Sequence, residues 1–408
     1  MPDAVIVATG RSPIGRAMKG SLTAVRPDDL VATVIRSVLE QVPALDPTTV
    51  EDVVLGCAQP AGAAGWNLAR IVADLAGLGH VPGVTVNRYC SSSLQTIRMS
   101  AHAIQAGEGD VFVAAGVESV SQYVHGMADG GGDSLNPLMA PAGARTLERS
   151  GGGTPAWTPF EGGIADYYIA MGQTAENVAQ LESVSRQEQD EWAALSQQRA
   201  TAARDRGFFD REIVAIDTID AEGQPVTVSR DDGIRPGTTV ERLAELKPVF
   251  RPDGTVTAGN ACPLNDGAAA VVVMSDVRAA ELGLTPLARI VASGVSALDP
   301  EIMGLGPIGA CRQAMGRAGM TIDDIDLVEI NEAFAAQVVP SARHLDIPWE
   351  KLNVNGGAIA LGHPFGMTGA RIMTTLLNAL EDSDATFGME SMCVGGGQGM
   401  AMIVERLR

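Results

Sequence analysis

The sequence has no apolar run of 18 residues, and only 19% of its residues are charged. The first absence excludes a membrane-spanning helix, and the second, together with 46% hydrophobic residues, excludes a disordered chain. Acidic residues outnumber basic ones by 49 to 29, and no basic block interrupts the excess. A nucleic-acid-binding surface is therefore not expected, and small molecules or proteins are the expected partners.

Cysteine is scarce and scattered, at Cys57, Cys90, Cys262, Cys311 and Cys393. No two of these form a CxxC pair, so the sequence predicts neither a disulfide framework nor a zinc cluster. None of the five histidines has a second histidine four residues along, which argues against a metal site. The N-terminus lacks a signal-peptide pattern and the last residues match no peroxisomal address, so we expect a cytoplasmic protein.

The chain has 408 residues, more than the roughly 250 to 300 at which a single core stops growing, so at least two packed units are expected. The β-branched runs Val5–Ala8, Val53–Gly56 and Val111–Ala115 predict buried strands. Apolar residues at helical spacing after Asp28 and within Ser91–Ala106 predict helices between them. This alternation indicates an α/β fold with a parallel, covered sheet.

The pattern changes between about residues 120 and 250, where a Gly/Pro-rich stretch over 126–163 precedes polar helices. This change in composition indicates an inserted loop domain. Within it, Ser185 and Glu188 have the spacing of a capping box, and Gly207 is suited to end the helix that follows.

Strand and helix alternate again after the insert, and the second half resembles the first. The segment beginning TVNRYCSSSLQ aligns with the one beginning NVNGGAIALGHPFG. Each has Val-Asn at a strand end, then a small-residue turn and a helix. Because ligands gather at the carboxyl ends of strands in α/β sheets, two equivalent halves predict a composite site between them.

Cys90 lies between a predicted strand and a helix with an apolar face, so its sulfur is expected near the N-terminus of that helix. The helix dipole there would favour the thiolate. The alternative is a buried structural cysteine, which is common for free cysteines. The position favours a nucleophile.

Three segments of the second half carry further candidates, and each has a plainer alternative. His363 follows a GxxxxG spacing that lacks the Lys-Ser/Thr of a phosphate loop; it is either an imidazole donor or base on a rigid loop, or a histidine capped in a turn. Cys393 precedes VGGGQG, whose glycines suit either an oxyanion hole built from backbone N–H groups or a hairpin with a core cysteine. Asn331 follows a strand and could simply cap a helix.

Together, these segments resemble the signatures of the thiolase superfamily. NRYCSSS resembles the nucleophile segment, NEAFA and GGAIALGHP the second and third signatures, and CVGGGQG the last. AENVA at Ala175–Ala179 and AGNACPLNDGAA at Ala258–Ala269 extend the resemblance over essentially the whole chain.

The resemblance implies a thiolase fold, with two pseudo-equivalent βαβαβαββ halves in a five-layered αβαβα arrangement and an inserted loop domain. It implies an N-terminal half over residues 1–119 plus 251–284, a loop domain over 120–250 and a C-terminal half over 285–408.

It also implies an acyltransferase that carries the acyl group as a thioester on Cys90 and exchanges it with coenzyme A, a substrate and not a bound cofactor. In the degradative direction Cys90 attacks the 3-keto carbon, and Cys393 protonates the released enolate and then deprotonates the incoming coenzyme A. Claisen condensation is the reverse. An enolate needs preorganised donors; here they would be His363, which also helps to activate Cys90, and a water held by Asn331. The backbone N–H groups of Cys90 and Gly395 would hold the tetrahedral intermediate.

The family's coenzyme A contacts can be carried over by motif. Arg235 would approach the adenine end. The residues expected along the pantetheine are Met171, Phe250, Ala258, Cys262 and Phe334. Of these, Cys262 departs from the family pattern, because many members have a hydroxyl residue there.

Acetoacetyl-specific members commonly carry His immediately before the Met-Gly of the loop domain, where this sequence has Ala170. The smaller residue favours a degradative 3-ketoacyl-CoA thiolase of fatty-acid β-oxidation over a biosynthetic acetyl-CoA acetyltransferase. The insert does not resemble the basic tetramerisation loop of some relatives, so a homodimer is expected and a homotetramer stays open.

Other classes agree less well with the sequence. A condensing ketosynthase usually has His or Asn in place of Cys393. A cysteine-dependent aldehyde oxidoreductase would need a strand–GxGxxG–helix unit for its nicotinamide. A place in a fatty-acid oxidation complex stays open, although retention of the catalytic residues argues against a pure scaffold.

Overall fold

The computed structural model describes residues 2–129, 134–160 and 163–407. The α-helices of this part of the chain are α1 Pro27–Glu40, α2 Leu68–Leu75, α3 Ser92–Ala106, α4 Ala140–Ser150, α5 Met171–Leu181, α6 Arg186–Asp205, α7 Val240–Ala244, α8 Asp276–Glu281, α9 Gly306–Ala318, α10 Ala335–His344, α11 Ala358–Leu361 and α12 Thr368–Asp382. The strands are β1 Ala4–Arg11, β2 Gly15–Arg16, β3 Asp52–Gly56, β4 Gly83–Val86, β5 Val111–Ser119, β6 Ile216–Ile219, β7 Pro225–Val228, β8 Asn265–Ser275, β9 Ala288–Ala297, β10 Leu327–Ile330, β11 Phe387–Val394 and β12 Gln398–Arg406.

One mixed sheet runs through both halves in the order β4-β3-β5-β8-β1-β9-β12-β11-β10, with β2 added to β8. In the first half β3 is parallel to β4 and β5, and β8 is antiparallel to β5 and β1. In the second half β10 is parallel to β11, and β12 is antiparallel to β11 and β9. The internal repeat predicted from the sequence is thus confirmed, since β1, β3, β5 and β8 correspond to β9, β10, β11 and β12.

Three apolar cores divide the molecule into five layers. Alternate residues of β8 from Ala268 to Met274 face a core closed by α1 and α2, and the intervening residues from Ala269 to Val273 face a second core around α3 and α12. Ala401 and Ile403 of β12 face a third core formed with α9 and α10. Because strand side chains alternate between faces, each half-sheet contributes to two cores. The αβαβα arrangement is therefore as expected.

Local sequence signals set the ends of several helices. Pro27 occupies the first turn of α1 and is followed by the acidic Asp28, a combination that suits a helix N-terminus. Ser185 and Glu188 form the predicted capping box at the start of α6. Gly319 adopts the left-handed conformation that ends α9, with φ of 67°.

The insert contains α4 to α7 and a small sheet of β6 and β7. Part of its Gly/Pro-rich stretch forms α4, whereas residues 130–133 and 161–162 lie outside the described residues. Trp192 and Ala193 of α6 join the third core, so the insert packs directly on the second half. The domain boundaries stay predictions. No helix in the described ranges is both long and apolar enough to cross a membrane.

Candidate active site

Cys90 lies in a short 3-10 helix, Tyr89–Ser91, between β4 and α3. Tyr89 has a positive φ of 42°, an unfavourable conformation for a bulky residue that often marks a functional site. The turn buries Cys90, and its own backbone N–H and that of Gly395 lie close enough to the sulfur to lower the pKa of the thiol. The two N–H groups predicted to form an oxyanion hole are therefore brought together at this sulfur.

The expectation that the helix terminus favours a Cys90 thiolate is wrong for this environment. Burial raises the pKa of the Cys90 thiol to about 12, and the carboxylate of Glu118 acts in the same direction. The two N–H groups lower the pKa but do not compensate, because the cost of burying a charge is larger. Cys90 is a thiol at neutral pH and needs a base to become a nucleophile.

The turn between β11 and β12 carries Gly395. The next residues, Gly396 and Gly397, have φ of 78° and 77°, a left-handed conformation that glycine adopts without steric cost. A Cβ on Gly395 would lie 3.5 Å from Tyr89 and 3.8 Å from Sδ of Met171. The Gly-rich hairpin considered as an alternative does form, and the same hairpin directs the N–H of Gly395 to the Cys90 sulfur.

Cys393 is the next-to-last residue of β11 and is fully buried. Burial raises the pKa of its thiol, and the charges that Cys90 and Cys262 can carry raise that pKa further. These couplings indicate that the three sulfurs lie near one another. The N–H of Cys262 donates to the carbonyl of Ala333 over 3.0 Å, which holds this segment against the loop after β10.

Asn331 and His363 meet in the same region, and each is only 1% exposed. Nδ2 of Asn331 lies 3.2 Å from Nε2 and 3.5 Å from Nδ1 of His363. The backbone N–H of Asn331 donates to the carbonyl of Ser391 in β11 over 2.9 Å, which fixes the position of the residue. Helix α10 begins only at Ala335, so the N-cap alternative for Asn331 is wrong. Oδ1 of Asn331 is buried with no hydrogen-bond partner among the described residues.

His363 is held on both sides by residues that the sequence analysis missed. Its backbone N–H donates to Oδ1 of Asn265 over 2.9 Å, and its Nδ1 lies 2.7 Å from Oγ1 of Thr368. Burial, with a contribution from Arg371, lowers the pKa of the imidazole to about 3. His363 is therefore neutral at physiological pH, with one ring nitrogen free to accept a proton.

Met171, Phe250 and Phe334 lie in one apolar cluster with Cys393. The rings of Phe250 and Phe334 are 6.1 Å apart and nearly perpendicular. A Cβ on Gly172 would lie 2.2 Å from the ring of Phe250, so glycine is needed beside Met171 for this packing. These predicted pantetheine contacts are brought together beside the cysteines.

Arg235 and Ala258 lie outside that cluster, and both are exposed. The backbone N–H of Arg235 donates to Oε1 of Gln197 over 2.8 Å. Arg235 also lines a shallow surface cavity of about 290 Å³ along α6, with Thr201 and Thr238. These two residues belong to the surface and not to the buried centre.

Glu118 was also missed by the sequence analysis, although it is 1% exposed and lies close to the centre. Its carboxylate accepts from the backbone N–H groups of Ala58 over 2.8 Å and Gly366 over 2.9 Å, and from the hydroxyl of Tyr123 over 2.9 Å. Gly366 belongs to the loop that follows His363. Glu118 therefore fastens this loop to the first half of the molecule.

A larger cavity of about 650 Å³ lies between α4 and the start of α5. Its walls are mostly apolar and include Leu135, Met139, Leu147 and Ile169, and Ala170 lies on its lining. Ala170 directly precedes Met171, whose Sδ would lie 3.8 Å from a Cβ on Gly395.

Comparison with known proteins adds family assignments to this geometry. The model of the thiolase N-terminal domain matches residues 4–277, and that of the thiolase C-terminal domain matches residues 284–406. A protein of Aeromonas hydrophila subsp. hydrophila named 3-ketoacyl-CoA thiolase is 47% identical over 414 residues, covering 100% of both chains. A protein of the same name from Saccharophagus degradans is 43% identical, covering 99% of this chain and 98% of the relative.

Among solved structures, the acetyl-CoA acetyltransferase of Bacillus anthracis is similar throughout. It has a TM-score of 0.85 and 40% sequence identity, and the match covers 100% of this chain and 99% of that one. The similar proteins thus share one fold, but their names refer to two different activities.

Proposed function

The chain belongs to the thiolase family and is an acyltransferase, and on that basis we propose that it cleaves 3-ketoacyl-CoA thiolytically to acetyl-CoA and a shortened acyl-CoA. The observation that supports the residue assignment is that two backbone N–H groups act on the sulfur of Cys90 and that the Cys393 thiol lies near enough to couple with it.

In the first half-reaction, Cys90 is the nucleophile. Its proton passes to His363, and the sulfur attacks the 3-keto carbon of the substrate. The bond between Cα and Cβ breaks, which leaves the acyl group on Cys90 and releases the acetyl-CoA enolate. The thiol of Cys393 protonates the enolate carbon and becomes a thiolate, so acetyl-CoA departs with charge and protons balanced.

In the second half-reaction, the thiolate of Cys393 takes the thiol proton of coenzyme A. The coenzyme A sulfur attacks the thioester carbon, and the tetrahedral intermediate collapses to acyl-CoA and the Cys90 thiolate. That thiolate recovers its proton from His363. The same steps in reverse give Claisen condensation.

Each half-reaction develops negative charge on a carbonyl oxygen, and each needs its own donors. His363 and Asn331, acting through a water, would stabilise the enolate oxygen. The N–H groups of Cys90 and Gly395 would stabilise the tetrahedral oxyanion on the acyl carbon. A single donor of this kind contributes about 2.7 to 4 kcal/mol in other enzymes, so both pairs are needed for an appreciable rate.

Coenzyme A is the acyl acceptor in this proposal. The apolar surface of Met171, Phe250 and Phe334 beside Cys393 suits the pantetheine arm, which carries few charges. Exposed Arg235 suits the adenine end, where the 3′-phosphate and diphosphate of coenzyme A are anionic. Ala258 and Cys262 would complete the path between these ends.

We propose a substrate with an acyl chain longer than acetoacetyl. The apolar cavity of about 650 Å³ lined by Ala170 supports this proposal, as do the relatives named 3-ketoacyl-CoA thiolase. The deciding measurement is coenzyme A-dependent loss of 3-ketoacyl-CoA absorbance, run in parallel on acetoacetyl-CoA and on a longer 3-ketoacyl-CoA. Cleavage of acetoacetyl-CoA alone would instead assign the acetyl-CoA acetyltransferase activity named for the Bacillus anthracis relative.

We further propose a cytoplasmic homo-oligomer that acts in fatty-acid β-oxidation. Removal of two carbons per turnover is the chemistry of that pathway, and two reactive thiols require a reducing compartment. Among the described residues, β4 pairs only with β3 and so leaves a free sheet edge, and Trp66 nearby is 92% exposed. An apolar edge of this kind suits contact with a second copy, and light scattering during gel filtration would detect the oligomer. A partner in a fatty-acid oxidation complex would be detected by co-purification.

A further inference from the structure

Thr368 is the first residue of α12 and is fully buried, and its hydroxyl lies between the carbonyl of Pro364 and the imidazole of His363. Its Oγ1 is 2.8 Å from the carbonyl oxygen of Pro364 and 2.7 Å from Nδ1 of His363. Nδ2 of Asn331 lies 3.2 Å from Nε2 and 3.5 Å from Nδ1 of the same ring. Both ring nitrogens of His363 therefore face a fixed polar group.

A count of hydrogen atoms decides which nitrogen carries the proton. The hydroxyl of Thr368 has one hydrogen, and the Pro364 carbonyl can only accept, so a bond to that carbonyl leaves lone pairs of Oγ1 facing Nδ1. Nδ1 must then be protonated in order to bond with Oγ1. Nε2 then has its lone pair free, because a neutral imidazole carries only one N–H.

The other tautomer would be costly in the same surroundings. If Nδ1 had no proton, the hydroxyl of Thr368 would have to donate to it, and Oγ1 would then lie 2.8 Å from the carbonyl oxygen of Pro364 with no hydrogen between them. Thr368, His363 and Asn331 are each at most 1% exposed, so bulk water cannot relieve the mismatch.

We propose that Thr368 is a positioning residue that fixes His363 as the tautomer protonated on Nδ1 and so makes Nε2 the base. This inference rests on the proposed function for the identity of the proton donor. The proton moves from Sγ of Cys90 to Nε2, which leaves a thiolate and an imidazolium whose Nδ1–H still donates to Thr368. The Nε2–H then faces the substrate, and the proton returns to Cys90 when the acyl group leaves.

The most direct test is the nitrogen-15 NMR spectrum of the full-length protein labelled at its five histidines, with the His363 signals assigned by their loss in His363→Asn. Protonated and unprotonated ring nitrogens have well-separated shifts. We expect wild type to show Nδ1 protonated and Nε2 unprotonated near neutral pH. Protonation of Nε2 in wild type would overturn the inference without any variant.

Two variants extend the test to function. Thr368→Val removes the hydroxyl at nearly constant volume, and Thr368→Ser keeps it. We expect Thr368→Val to populate the Nε2-protonated tautomer, to lower kcat roughly 10-fold to 100-fold with little change in KM, and to slow iodoacetamide alkylation of Cys90 near pH 7. Thr368→Ser should restore all three properties. If Thr368→Val does not fold, Thr368→Ala provides the same comparison with a smaller side chain.

Failure of this inference and failure of the proposed function give different results. A wild-type protein that cleaves no 3-ketoacyl-CoA but holds the Nδ1-protonated tautomer would refute the function and support the role of Thr368 in fixing the ring. An active wild type whose tautomer and alkylation rate do not change in Thr368→Val would refute that role and leave the function intact.

Discussion

The backbone N–H of Gly395 lies close enough to the sulfur of Cys90 to lower the pKa of its thiol. Cys90 belongs to the first half of the molecule and Gly395 to the hairpin of the second. The contact therefore joins the two repeats at the atom proposed to form the acyl thioester. Neither half contains this donor pair by itself.

Replacement of Cys90 by Ser tests the nucleophile. A hydroxyl near neutral pH is a far poorer nucleophile than a thiol helped by a base, so Cys90→Ser should lower activity on the order of 10⁴-fold or more and abolish acyl-enzyme labelling. Mass spectrometry after incubation with radiolabelled or heavy acyl-CoA measures the labelling. Cys311→Ala is the matched control, since Cys311 is buried in the third core away from the site. Full labelling of Cys90→Ser would move the nucleophile elsewhere.

Replacement of Cys393 by Ala separates acyl transfer from carbon–carbon chemistry. Transfer of an acyl group to Cys90 needs no proton exchange at the α-carbon, so Cys393→Ala should still become labelled by acyl-CoA. Cleavage of 3-ketoacyl-CoA should fall about 10²-fold to 10⁴-fold, the usual contribution of a general acid–base. Stopped-flow absorbance gives the cleavage rate. Unimpaired cleavage in this variant would exclude the proposed role.

Enlargement of Ala170 tests the acyl cavity. Ala170→Leu should fill part of the space beside α5 and lower kcat/KM for a longer 3-ketoacyl-CoA roughly 10-fold or more, with acetoacetyl-CoA much less affected. The ratio of the two kcat/KM values is the quantity to compare. Ala280→Leu adds the same bulk at an exposed position of α8 and should leave the ratio unchanged. Equal losses on both substrates would mean that the cavity does not receive the acyl chain.

The buried Glu329 should make the free energy of unfolding depend on pH. It pairs in register with Glu390 across β10 and β11, and burial raises the pKa of Glu329 from the ordinary 4.5 to about 8. The folded protein holds a proton that the unfolded chain releases, so stability falls as pH rises from about 4.5 and the fall levels off above about 8.

The free energy of unfolding should therefore decrease less between pH 5 and 8.5 in Glu329→Gln than in wild type, by an amount on the order of 2 to 4 kcal/mol. Urea titrations at several pH values give this quantity. Glu350→Gln, at an exposed position, should retain the slope of wild type. The same slope in Glu329→Gln and wild type would mean that Glu329 is ionised in the folded protein.

The glycines of the β11–β12 turn should differ in their tolerance of a side chain. Gly396 has φ of 78°, so Gly396→Ala should lower the free energy of unfolding by about 1 to 2 kcal/mol. Gly395 is not in the left-handed region, and its Cβ would make ordinary contacts at 3.5 Å and beyond. Differential scanning calorimetry should find Gly395→Ala close to wild type. The reverse order would mean that the turn has another conformation.

The fold was largely predictable because the internal repeat is visible in short-range sequence patterns. Strand and helix signals are short-range, and the two aligned segments already indicated equivalent halves. Cys90, His363 and Cys393 could be selected as candidates because each lies in a distinctive motif. The pKa of Cys90 could not be predicted, because it depends on burial by the whole assembly and not on the nearby helix end.

The residues that support the site could not be found in this way. Glu118 acts on Ala58 and Gly366, which are 60 and 248 residues away in sequence, and Asn265 reaches His363 across 98 residues. A local sequence motif does not indicate hydrogen bonds between residues so far apart in the chain. Thr368 is only five residues from His363, but a threonine at the start of a helix is ordinary, and its significance comes from the hydrogen-bond partners around it.

The junction where Val5 pairs with Arg289 and Ile6 with Ala288 makes one sheet of the two repeats. The first repeat supplies Cys90 and the second supplies the remaining proposed catalytic groups. Such a division has an evolutionary consequence, because copies of a duplicated unit that have each kept a different part of the chemistry can no longer be inherited separately. Selection then acts on both repeats as a single heritable unit, and a recombination event that replaces one of them has to preserve the contacts made by the other.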